Sequence, residues 1–216
     1  MEIDLSGIPL ISALDEETRT RSVVVRRYQD GEEIFHQGDR TTGLWFVIQG
    51  RVAVDRVGPD GSVTTTGVWI RGEIVGIAGL WDGSGYPATA RALDTPTIMG
   101  WMDREVALTL HQRVPGFGLE MSRMLAERLR QVQELMANRQ GRPVGEQLAM
   151  ILLMLHRRLG GNIRLTHEDL AHMIGTHRET VSRALQELVK QGIITVRYGE
   201  IHVAREEKLR ERAQLL

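Results

Sequence analysis

The sequence predicts an α+β protein: an N-terminal antiparallel roll of short strands, then a long helix, then a small C-terminal domain of helices closed by a hairpin. Three observations predict it. Between Val23 and Met102, short alternating runs are broken at Asp30-Gly31, Gly38-Asp39, Gly50, Asp60-Gly61, Gly72 and Gly83–Gly85, the pattern of a jelly roll or sandwich. From Glu105 to about Asn138 the apolar period becomes helical. From Leu165 to Val203, two short helices around a single Gly precede two short strands. These changes of pattern divide the chain into 1–114, 115–139 and 140–216.

Taken in order, Leu10, Ile11 and Leu14 before Asp15 read as one or two short helices. The strands follow as VVVRRY, EEIFHQ, LWFVIQ, RVAVDRV, SVTTTGVWI, EIVGI, ATARAL and TIMGWM. After Pro115, Leu125, Leu129, Val132 and Met136 recur at alternating four- and three-residue steps, a coiled-coil seam that predicts a dimer interface. Leu119, Met121, Met124 and Leu135 widen the stripe, so one side can pack on the roll while another meets a partner. Gln140-Gly141-Arg142-Pro143 breaks the helix and forms a hinge, because Pro cannot continue the hydrogen-bond ladder. GEQLAMILLMLHRRLG is then an apolar helix, the floor of the last domain, and REEKLRERAQLL carries a helical charge pattern.

Composition bounds the function. At 216 residues and 42% hydrophobic, the chain can bury two modest cores. No apolar run is long enough to span a membrane, and MEIDLSGIPL lacks the charged-then-apolar pattern of a signal, so a cytoplasmic location is expected. Zero Cys excludes a disulfide framework, thiolate-held iron–sulfur clusters and thiol redox sensing. The net charge of −1 conceals an asymmetry. Residues 139–216 carry 13 Arg/Lys against 9 Asp/Glu, a balance of +4, whereas residues 1–138 carry 14 against 19, a balance of −5. Attraction to phosphate acts over about a Debye length, ~10 Å, so the local sign matters.

The chemistry is concentrated at LTHEDLAHMIGTHRETVSRALQELVKQGIITVRYGEIHV. Thr166 caps the first helix with Asp169 three residues on, and Leu170, Ala171 and Ile174 form its buried stripe. Gly175 supplies the turn. Thr176 and Glu179 repeat the capping signal, and Val181, Ala184, Leu185 and Leu188 give the second helix an apolar face. Opposite lie Arg178, Glu179, Ser182, Arg183 and Gln186. In the major groove, Arg forks guanine O6/N7 and a carboxylate accepts from cytosine N4. Glu179 has two readings, base contact or capping box. Two capped helices around one Gly followed by a hairpin, ITVRY and IHV about Gly199-Glu200, make a winged helix-turn-helix.

GTHRETVSRALQEL resembles the recognition segment of the cyclic-AMP receptor protein/FNR (CRP/FNR) superfamily of bacterial transcription regulators. The spacing Gly31…Ile34…Gly38-Asp39…Gly50…Gly72-Glu73 likewise resembles the cyclic-nucleotide-binding β-roll, so the likeness covers nearly the whole chain. It implies a homodimer that binds double-stranded DNA and works with RNA polymerase; an activator is the expectation, but whether it activates or represses depends on surface contacts that no motif encodes. It also implies base reading by Arg178, Glu179, Arg183 and Ser182 at TGTGA-like half-sites. Ser182 stands where the receptor protein has Gly and where FNR-like members often have Ser. Thr166, Thr176, His177 and Arg164 are candidates for phosphate contacts, which position the protein without specifying sequence. Paired recognition helices would meet half-sites about one helical turn, ~34 Å, apart.

The effector cassette departs from the superfamily. Cyclic-AMP-binding members place a Glu after a Gly to hold the ribose, and an Arg followed by Ser or Thr to pair with the phosphate. In RGEIVGIAGL the Glu position is Ile77, and Tyr86-Pro87-Ala88-Thr89-Ala90 puts Tyr or Ala where the Arg is expected. Burying a phosphate without a paired cation costs several kcal/mol. Glu73 and Arg91 are the nearest substitutes, so the degenerate pocket comprises Glu73, Ile77, Ala88, Thr89 and Arg91: weak or no cyclic-AMP binding is expected, and either the pocket takes a different effector or the protein acts without one. His167, His172 and His177, five apart, turn off a common face, so no metal site is expected, and no nucleophile elbow, P-loop or paired-carboxylate motif suggests an enzyme. A second reading is a small-molecule-binding signalling module whose helices contact protein. It predicts no salt-dependent DNA affinity.

Overall fold

The computed structural model describes residues 5, 7–139, 141–197 and 199–214, and for 134–139 it describes the backbone alone. Contacts divide the chain into two compact units, Met1–Gln131 and Val132–Leu216. The division falls inside the long helix, so most of that helix belongs with the roll.

Unit one opens with α1 (Pro9–Ser12) and α2 (Glu16–Ser22), the latter capped by Asp15, whose carboxylate accepts from Thr18 N at 2.8 Å. The strands are β1 (Val24–Tyr28), β2 (Glu33–Phe35), β3 (Gly43–Gln49), β4 (Val52–Val57), β5 (Val63–Trp69), β6 (Ile74–Val75), β7 (Thr89–Ala92) and β8 (Thr97–Asp103). They form two antiparallel four-stranded sheets, in the orders β1-β8-β3-β6 and β2-β7-β4-β5. Neighbours far apart in sequence, such as β1 and β8, are what close the strands into a roll. β3 is buried along nearly its whole length because both its faces are covered. Trp45 and Val47 join Phe35, Trp69, Tyr86 and Met99 in one core cluster. Leu44, Phe46 and Ile48 face the other way, packing with Leu10, Ile11, Met102, Phe117 and Met121. Full burial of a side chain such as Phe46 stabilises by about 1.5–3 kcal/mol.

The run EIVGI keeps only two residues as strand, and a short helix α3 (Gly79–Asp82) follows it. α4 (Arg104–Arg113) starts where Asp103 accepts from the backbone of Glu105 at 2.8 Å. α5 (Pro115–Arg139) is the predicted long helix.

Unit two is built on α6 (Val144–Leu159), which buries Leu148, Leu152 and Leu155. β9 (Asn162–Ile163), α7 (His167–Ile174), α8 (Arg178–Lys190), β10 (Ile194–Arg197), β11 (Glu200–Val203) and α9 (Glu206–Arg212) complete it. α6 packs against α7, α8 and α9. The sheet order is β10-β11-β9, with Ile194 opposite Val203 and Ile201 opposite Ile163. The charged tail is therefore a docked helix, held by buried Leu209 and Ala213 and by Glu206 paired with Arg157 at 3.1 Å. Of the predicted hinge, Gln140 lies outside the described residues. Gly141 has φ +75°, and Pro143 is the extended residue that starts α6.

Candidate DNA-reading surface

α7 begins as its sequence signal says. Thr166 Oγ1 accepts from Asp169 N at 3.0 Å, and the Asp169 carboxylate accepts from Thr166 N at 2.9 Å, a complete capping box. Thr166 Oγ1 also donates to that carboxylate at 2.7 Å, so this hydroxyl has no proton left for a phosphate. α7 ends at Gly175, whose φ of +81° is the left-handed conformation that side-chain-bearing residues avoid. Both Gly175 N and Thr176 N donate to Ala171 O, at 2.8 and 3.1 Å.

That closure corrects the reading of the second helix. Thr176 belongs to the end of α7, and the extended residue that starts α8 is His177, without any side-chain cap bond. No capping box forms there, which leaves the Glu179 carboxylate available. Val181, Leu185 and Leu188 are buried at helical spacing, while Arg178, Glu179, Arg183 and Gln186 are exposed on the other face. Among the described residues, no hydrogen bond or ion pair holds the side chain of Arg178 or Glu179. Among the same residues, Arg183 makes only a long contact of 3.4 Å to Thr180. An exposed row of two guanidiniums and a carboxylate on a helix seated by its opposite face can exchange water for base edges without first breaking internal pairs.

The remaining nominated residues are placed differently. Ser182 is half-buried, its hydroxyl bonded to Arg178 O at 2.9 Å and adjoining His167 Nδ1 at 2.8 Å. Arg164 is ion-paired with Glu200 on β11, which ties the α7 approach to the wing. His177 is exposed and Thr176 half-buried. Sequence reasoning passed over Arg197, an exposed cation at the end of β10 beside exposed Val196. Its signal was an Arg at the wing turn. Tyr198 lies outside the described residues.

In the roll, the side chains of the cassette pack against and bond to the chain's own groups. Tyr86 stacks on Phe35 with ring centroids 3.9 Å apart, and its hydroxyl accepts from Trp45 Nε1 at 3.1 Å while donating to Gly43 O at 3.2 Å. Gly76 (φ +74°) lies beneath this stack, where a Cβ would come within 2.8 Å of the Tyr86 ring. Ile77 packs against the helix-side core, and Ala88 is buried in the core that includes Tyr86. Glu73 accepts from Ile70 N at 2.9 Å and so closes its own turn. Arg91 lies on β7 and pairs with Asp55 at 3.3 Å, and Thr89 Oγ1 accepts from Gln37 N at 3.0 Å.

On α5 the stripe divides as its two-sided pattern suggests. Met121 is fully buried against the roll, whereas Leu129 is 59% exposed, Leu125 36% and Leu119 73%. Val132 is half-buried, and the side chains of Leu135 and Met136 lie outside those described. Arg128, on the roll side, lays its guanidinium over Trp69 at 3.9 Å and donates to Thr66 O at 2.9 Å. Among the described residues, no three His, Asp or Glu side chains come together as a metal site, and no helix is long and apolar enough to cross a membrane.

Residues 146–212 match the Crp-like helix-turn-helix domain, and residues 25–113 match the cyclic nucleotide-binding domain. The chain is 32% identical to the cyclic AMP receptor protein of Thermus thermophilus over 206 residues, 92% of this chain and 94% of that protein. It belongs to the CRP/FNR family. Like its CRP/FNR relatives, it is a transcription regulator with a helix-turn-helix DNA-binding domain, and not an enzyme. A second relative, the CRP-like cAMP-activated global transcriptional regulator of Mycobacterium tuberculosis, is 27% identical over 85% of each chain. FixK2 from Bradyrhizobium japonicum shares the fold, with a TM-score of 0.77 at 23% identity, covering 88% of this chain and 96% of that one.

Proposed function

We propose that this CRP/FNR protein is a homodimeric transcription activator that reads palindromic TGTGA-like half-sites without cyclic AMP. The observation that carries the DNA reading is the exposed Arg178–Glu179–Arg183 face of α8, free of internal pairing at its first two members. Arg178 and Arg183 contact guanines and Glu179 a cytosine. The exposed Leu125 and Leu129 supply the seam along which two copies pair, presenting two recognition helices to the two half-sites. RNA polymerase is the partner through which an activator acts.

Independence from cyclic AMP is supported by the cassette. Ile77 stands at the ribose position as an apolar packing residue, and the Tyr86 ring lies at the phosphate position, bonded within the core. The nearby charges that could substitute, Glu73 and Arg91, are engaged with the Ile70 backbone and with Asp55. A phosphate there would meet aromatic carbon in place of a cation. The test is a gel shift on a TGTGA-type palindrome with and without cyclic AMP, paired with calorimetry of the protein and nucleotide. A specific shift unchanged by nucleotide, with no heat of binding, is expected. A shift that requires cyclic AMP would overturn the effector part of the reading, and none on any palindrome would overturn the whole.

A further inference from the structure

We infer that His167 is a positioning residue for the recognition helix, holding the first turn of α8 through Ser182 and thereby removing Ser182 from the set of base readers. The inference rests on α8 reading DNA, as proposed above. His167 is the first residue of α7, and its Nδ1 lies 2.8 Å from Ser182 Oγ on α8. That hydroxyl also lies 2.9 Å from the carbonyl oxygen of Arg178, one turn earlier.

Proton counting fixes the roles. A serine hydroxyl carries one hydrogen, and a carbonyl can only accept. The hydrogen therefore goes to Arg178 O, and the imidazole donates from Nδ1 to the Oγ lone pair. Ser182 keeps no hydrogen to give to a base oxygen or ring nitrogen. The chain His167–Ser182–Arg178 instead runs from the start of α7 to the turn that bears Arg178 and Glu179. The Gly175 turn joins the two helices end to end, and buried Val181, Leu185 and Leu188 seat α8 within the unit. This polar link adds to that seating at the start of α8, and with it helps set the aim of the two side chains nearest the helix start. Such sites tolerate displacements of only about 0.5 Å before selectivity suffers.

The test uses the full chain with Ser182→Ala, His167→Ala, the double variant and His167→Asn, whose side-chain amide can donate from nearly the place of Nδ1. Affinity is measured on the palindrome and on every single-base variant of the half-site, with thermal melting as a folding control. Ser182→Ala and His167→Ala are each expected to weaken binding about tenfold and to blunt the preference at the base pairs read by Arg178 and Glu179. The double variant should be no worse than the worse single one, and His167→Asn should restore wild-type preference. Ser182→Ala altering one base pair alone while His167→Ala is silent would make Ser182 a reader and overturn the inference, as would additive losses in the double variant. Should His167→Ala fail to fold, the Ser182→Ala preference profile decides between strut and reader by itself. Wild-type protein that does not distinguish the palindrome from a scrambled duplex would remove the underlying DNA reading, an outcome separate from the variant pattern.

Discussion

The two helices of the DNA-binding unit are announced by nearly the same four letters, Thr166-His-Glu-Asp169 and Thr176-His-Arg-Glu179, and the structure uses them in opposite ways. In the first, the threonine caps, the acid closes the box, and Asp169 is buried. In the second, the threonine backbone closes the preceding helix, the helix starts two residues later, and the acid is exposed. The difference originates upstream. Thr176 follows a glycine in the left-handed conformation, which draws its N–H back to Ala171, whereas Thr166 is itself extended, with its amide bonded to the Asp169 carboxylate. One signal thus builds a stable frame and the other leaves a carboxylate exposed. The histidines divide likewise, since His167 reaches across to Ser182 while His177 makes the bare start of α8.

This contrast can be broken or sharpened by substitution. The largest effect is expected for Arg183→Ala, which should lose about 1–3 kcal/mol of binding to the palindrome, roughly ten- to a hundredfold in affinity, with the melting temperature unchanged. Glu179→Ala should relax the choice at one base pair by a comparable or smaller factor. It should move stability by less than about 0.5 kcal/mol, because no cap is lost. Asp169→Ala should do the reverse: denaturant unfolding should show a loss of about 1–2 kcal/mol from the buried box. Next comes the threonine pair. Thr166→Ala should cost about 1 kcal/mol and Thr176→Ala less than half of that, and equal costs would contradict the assignment of caps.

The smallest effect concerns α9. Hydrogen bonding from Arg157, with Arg210 adding to it, holds the Glu206 carboxyl below its ordinary range. A depressed folded-state value means the contribution is complete above the ordinary carboxylate range and fades as pH falls through the acid side of it. Glu206→Gln should therefore lie closer to wild type in melting experiments near about pH 3 than near about pH 7.

Most of the fold was legible because glycine pairs and changes of period mark element ends, as at Asp30-Gly31 and Gly50 in the roll and at Gly175 between the helices. The apolar face of α8 was legible for the same reason, since Val181, Leu185 and Leu188 keep helical spacing. What sequence could not supply is long-range pairing. That Thr176 ends one helix rather than starting another depends on a backbone donor choosing Ala171 O. That Ser182 is held depends on a side chain fifteen positions away. The departures from the family cassette at Ile77 and Tyr86–Ala88 were visible in the letters. The Tyr86–Phe35 stack beside them required knowing that β7 lies beside β2. Likewise, the stripe on α5 showed two sides in sequence, but only packing separates buried Met121 from exposed Leu129.

The central claim is that the outward face of α8 meets a duplex, twice, at a defined sequence. Fluorescence anisotropy of a labelled TGTGA palindrome and a scrambled control, titrated with the wild-type chain across a series of salt concentrations, tests it most directly. The account predicts that log affinity falls linearly and steeply with log salt for both duplexes, with the palindrome bound more tightly throughout and two chains per site. Equal affinity for the two duplexes, or binding indifferent to salt, would contradict it.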